Sequence, residues 1–101
     1  MKRTKNMYFE RTTESRELEL YIDNTRVLCD HNKAIYEMLD KKLKRGCFDH
    51  NKAWAAFYKV CNHATELYVK SFGYRFNTQQ RYTVAVILAT NYMEARGLFN
   101  D

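Results

Sequence analysis

Four stretches of the chain carry apolar residues at helical spacing, each bounded by residues that start or stop helices. The first has Leu18, Tyr21 and Ile22 as its stripe and begins near Thr12 or Thr13. Either hydroxyl can cap free N–H groups there, and Glu14 and Glu17 suit the positive end of the dipole. Asp23, Asn24 and Thr25 weaken that helix, so 25–31 reads as a connector. The second helix runs from about 32 to 45: Ile35, Met38, Leu39, Lys42 and Leu43 follow an i, i+3, i+4, i+7, i+8 stripe, and Gly46 supplies a left-handed stop. Glu37 with Lys41, and Asp40 with Lys44, have the spacing and order of favourable i,i+4 pairs.

The third helix starts at Asp49, a good N-cap, with Phe48 placed to staple onto Ala53. Its stripe is Ala53, Phe57, Val60, Cys61, Ala64, Leu67 and Tyr68, and it ends by Gly73. The fourth follows the segment FNTQQ, in which Asn77 and Gln80 have capping-box spacing and Phe76 can staple. Tyr82, Ala85, Val86, Ala89, Tyr92 and Met93 form one broad face, which Val84, Ile87 and Leu88 widen, up to a stop at Gly97. This helix is expected to be the most buried. The pattern predicts an all-α compact bundle of about four helices (residues 12–101) behind a basic N-terminal arm (residues 1–11) that carries Lys2, Arg3, Lys5 and Arg11.

Composition agrees with that reading. The chain has no proline and three glycines, too few turn formers for an ordinary all-β domain of 101 residues. Its longest apolar run, residues 82–89, falls far short of the roughly 20 residues that span a bilayer. Three cysteines make no closed disulfide set and no signal-peptide pattern opens the chain, so reduced thiols and a cytoplasmic location are expected. The formal net charge of +5 admits nucleic acid or an acidic protein surface as partner without choosing between them.

Each cysteine has a histidine within three positions: Cys29 and His31, Cys47 and His50, Cys61 and His63. A zinc site needs ligands that converge. Cys61 and His63 lie two apart in mid-helix and point about 200° from each other. Cys61 falls on the core stripe, where it acts as a small hydrophobe. No metal and no cofactor are expected. Cys47 near a helix N-terminus is the best nucleophile candidate, but no oxyanion loop, Walker sequence or HExxH accompanies it, so no enzyme is expected.

Two binding surfaces stand out. The second helix, the turn at 46–48 and the third helix fit a helix-turn-helix, with His50, Asn51 and Lys52 as base-contacting candidates, and equally fit an ordinary helical hairpin. Lys41, Lys44 and Arg45, with the basic arm, either offset a helix dipole or form a phosphate footprint. Trp54 and Tyr58, one turn apart beside the core stripe and flanked by Lys52 and Lys59, either close over the core or project as aromatic anchors toward an acidic partner or a second copy of the chain.

The segments ELELYIDN (17–24), KLKRGCFDHNKAWAAF (42–57) and ATELYVKSFG (64–73), with Ile35, Leu39 and Arg81, resemble a family of short phage and prophage helical proteins. The similarity spans roughly residues 17–92. It supplies no catalytic residues, and its pattern does not contain the three Cys–His pairs. It implies an accessory gene product acting inside a bacterial cell. Proteins of that class often block or redirect a host protein, including defence nucleases and CRISPR effector complexes. The expectation is therefore a non-enzymatic protein that binds a host macromolecule, with a small nucleic-acid-binding protein as the alternative.

Overall fold

In a computed structural model, which describes residues 13–99, the chain forms four helices: α1 (Thr13–Asn24), α2 (Arg26–Lys44), α3 (His50–Phe72) and α4 (Thr78–Ala95). No strand occurs among the described residues. The fold is the expected all-α four-helix bundle. The basic arm, with Lys2, Arg3 and Lys5, lies outside the described residues.

The third and fourth helices share the most extensive interface, and α1 packs across α2, α3 and α4. Leu18, Ile22, Leu28, Leu39, Phe57, Val60, Val84 and Tyr92 are all fully buried, so every helix contributes to one core. Tyr68, near the end of α3, donates its hydroxyl proton to Glu17 and ties α1 down.

The expected connector at 25–31 is helical except for Thr25. That residue is extended (φ −106°, ψ 115°), and its carbonyl accepts the first backbone hydrogen bonds of α2, from the Leu28 amide at 3.0 Å and the Cys29 amide at 2.9 Å. Its side chain makes no capping hydrogen bond. On either side of the break, Ile22 and Leu28 are both fully buried in the one core.

Two helix starts follow their local chemistry. Asp49 accepts from the Asn51 amide at 2.8 Å. Asn77 and Gln80 close a full capping box, with both bonds at 2.8 Å, and Phe76 is buried beneath it. Glycines 46 and 73 have φ of 73° and 76°, the left-handed conformation needed to turn the chain after α2 and α3.

Two details differ from the sequence pattern. The buried face of α4 is Val84, Ala85, Ile87, Leu88, Ala89 and Tyr92, while Val86 is half-buried and Tyr82 is 45% exposed. On α3, Leu67 is half-buried, whereas Thr65, which the stripe did not include, is fully buried. Phe48, just before α3, stacks on Tyr92 of α4, with ring centroids 6.0 Å apart.

Candidate functional site

The long α3 helix has Trp54, Phe57, Tyr58 and Tyr68 on the sides that meet the core and α4. On its outer side next to α2 it presents Ala55 and Ala56 between Lys52 and Lys59. The short alanine side chains leave unfilled the space beside α2 that longer residues would occupy. The result is a groove of about 450 Å³ between α2 and α3, with Ile35, Met38, Ala55 and Ala56 as its apolar lining.

The rim of this groove is basic. Lys42 stands on the α2 side, and Lys52 and Lys59 on the α3 side. His31 closes the end away from the 45–49 turn, with the His63 ring 6.3 Å from its own. No Asp or Glu lines the groove, and none of the three lysines makes an ion pair among the described residues. Lys52 and Lys59 are exposed, as is Met38 at 40%.

The two halves of the partner surface read from sequence are thus separated. Lys52 and Lys59 do share a face of α3, but Trp54 lies about 200° round the helix from Lys52. Trp54 and Tyr58 are half-buried and stacked on each other, with ring centroids 5.0 Å apart. Tyr82 of α4 packs on Trp54 at 5.4 Å. These aromatics build the α3–α4 seam. Trp54 also lines a smaller groove of about 290 Å³ with His50, Val86, Ala89, Met93 and Phe99, and its indole N–H has no acceptor there among the described residues.

The other basic candidates are exposed at the end of α2. Lys44 lies about 180° from Ile35 and so faces away from the groove. Lys41 and Arg45 lie nearer its outer edge. Lys42 was missed as a site residue because it falls on the apolar stripe, seven positions after Ile35. That position is itself the signal: a lysine there must stand at the margin of a buried face.

Asp40 does not serve Lys44 as its close partner. Arg96, just past α4, donates to both carboxylate oxygens, at 2.7 and 2.9 Å, and the fully buried Tyr92 donates its hydroxyl at 2.9 Å. The Arg96 bonds hold the Asp40 carboxyl below the usual carboxylate range. Burial, then the hydrogen bond to Asp40, pushes Tyr92 up to about 12. The Arg96 guanidinium also lies 5.4 Å from the Tyr36 ring centre and 5.1 Å from that of Tyr92. The cluster clamps the end of α4 to α2, a structural task.

The Cys–His pairs do not assemble. Cys29 and Cys47 are exposed and Cys61 is buried, its thiol pushed up to about 12 by burial. His50 packs its ring on Phe48, 5.1 Å away. Among the described residues no group of three or more His, Cys, Asp or Glu is placed to hold a metal ion. Nor is any helix among them long and apolar enough to cross a membrane. Comparison with protein-family models, curated proteins and solved structures returns no match, so the groove's own chemistry must carry the functional reading.

Proposed function

We propose that the protein is a non-enzymatic binding protein whose α2–α3 groove docks on an acidic surface of another protein. The resemblance to phage helical proteins suggests a host protein inside a bacterial cell as the target, with a defence system such as a CRISPR effector complex as the class. One observation carries the reading: Lys42, Lys52 and Lys59 surround an open apolar surface with no carboxylate among the described residues lining it. Apolar area supplies contact, while unpaired cations at its edge select an acidic partner and speed encounter. A second copy of the chain is the poorer occupant, since two chains of formal charge +5 repel.

Nucleic acid is the second reading. It is favoured by the exposure of His50, Asn51 and Lys52 at the start of α3, next in sequence to exposed Lys44 and Arg45. Against it, Asp49 caps that same helix start and would face phosphate.

The two readings separate in an affinity pulldown from phage-infected host lysate, with and without nuclease. The expected result is a protein partner that survives nuclease and is lost by a Lys52→Glu, Lys59→Glu double variant. Recovery that nuclease abolishes would replace this reading with the second.

A further inference from the structure

We propose that the occupant of the α2–α3 groove is a single amphipathic α-helix of two to three turns, with carboxylates seven residues apart and apolar residues between them. The inference rests on the protein-binding reading above and names the partner's form. Both walls of the groove are helices with internally paired backbones, so an extended peptide would find no free strand edge to hydrogen-bond. A helix needs none. It brings its own backbone bonds and asks only for shape, apolar area and charge.

The shape fits. Ala55 is exposed and Ala56 half-buried, and neither projects beyond its Cβ, so a third helix can approach α3 at an interaxial distance of about 8 Å. Met38, 40% exposed, offers a pliable side chain along the opposite wall, above the nearly buried Ile35. The charge fits as well. Lys52 and Lys59 are two turns apart, about 10.5 Å along the axis, the spacing of two carboxylates seven residues apart on an aligned helix. Lys42 stands across from them and can meet the same acidic flank from α2. A phosphate backbone would match the lysines but leave the apolar floor unused.

The test uses the full chain and a displayed library of helical peptides, on an alanine-rich background randomised at positions i, i+3, i+4 and i+7. Selection is expected to enrich Asp or Glu at i and i+7 with Leu, Ile, Met or Phe between. The best peptide should then lose about tenfold or more in affinity for the Lys52→Glu, Lys59→Glu variant. It should lose a similar factor for Ala55→Arg, which adds positive charge but fills the floor. If Ala55→Arg lowers the melting temperature by more than a few degrees, Met38→Lys takes its place, again adding positive charge while removing apolar surface. Acidic winners without apolar residues, or tighter binding to Ala55→Arg, would reduce the site to charge attraction and overturn the helix. A mixed-sequence duplex DNA that displaces the peptide and is itself lost with the two lysines would overturn it too. In the lysate pulldown, a protein partner lost by the double lysine variant but kept by Ala55→Arg would remove the helix while leaving the acidic-partner reading in place.

Discussion

Replacing Phe57 by alanine should be among the most damaging single truncations in the domain. Phe57 is fully buried in the first half of α3, with its ring edge-on to Tyr36 at 6.0 Å. Phenylalanine-to-alanine changes in cores cost about 3–5 kcal/mol, the upper part of that range applying where neighbours cannot collapse into the space. Here the flanking core positions on the same helix are Ala53, Val60, Cys61 and Ala64, small or β-branched residues with little side chain to move into the space. The cost should therefore be about 4 kcal/mol, out of the roughly 5–15 kcal/mol that holds such a domain together. At about 4–8 °C per kcal/mol, melting followed by circular dichroism should fall by roughly 20 °C. Phe57→Leu keeps most of the volume and should cost only about 1 kcal/mol. A fall of less than about 4 °C for the alanine variant would mean that Phe57 does not hold the centre of the core.

The same structure fixes three other outcomes. A thiol reagent should label Cys29 and Cys47 in the native protein and Cys61 only after denaturant, because Cys61 is buried and its thiol is pushed up to about 12; native labelling of all three would contradict the α3 register. The Asp40 carboxyl lies below its unfolded value, so its stabilising effect is present above about pH 4 and is lost as pH falls through the folded value. The difference in melting temperature between parent and Asp40→Asn should accordingly be steady near neutrality and shrink in acid, whereas a constant gap down to about pH 3 would show the carboxylate is not depressed. Asn77→Ala removes the side-chain acceptor for the Gln80 amide and should cost about 1 kcal/mol, seen as a drop of roughly 5 °C; no change would mean the box contributes nothing to α4.

What the sequence made legible was local. Gly46 and Gly73 mark their stops because few other residues take a positive φ, and Asn77 with Gln80 marks a helix start because both partners lie within one turn. Asp23, Asn24 and Thr25 marked the break after α1, but not that it is a single residue long with helix resuming at Arg26, since nothing local in 26–31 shows that Leu28 is drawn into the core. The face of α4 escaped because that helix is apolar nearly all round, so spacing alone could not set Val84 inside and Tyr82 outside. The clamp from Arg96 to Asp40 joins residues 56 positions apart, beyond any local pattern. The groove was legible only in part. Lys52 and Lys59 were visible as a cationic pair on one face, but the hollow between them exists only because α2 lies where alanines leave space.

Site-specific photo-crosslinking in the host cell tests most directly whether this groove is the partner-binding surface. The reactive group is placed at position 55, inside the groove, or at position 82, exposed on α4 outside it. A single protein captured from position 55, absent from position 82, and lost when Lys52 and Lys59 are changed to glutamate is the predicted result. Capture of the same protein from position 82 alone, or capture from position 55 that persists after the lysines are reversed, would contradict it.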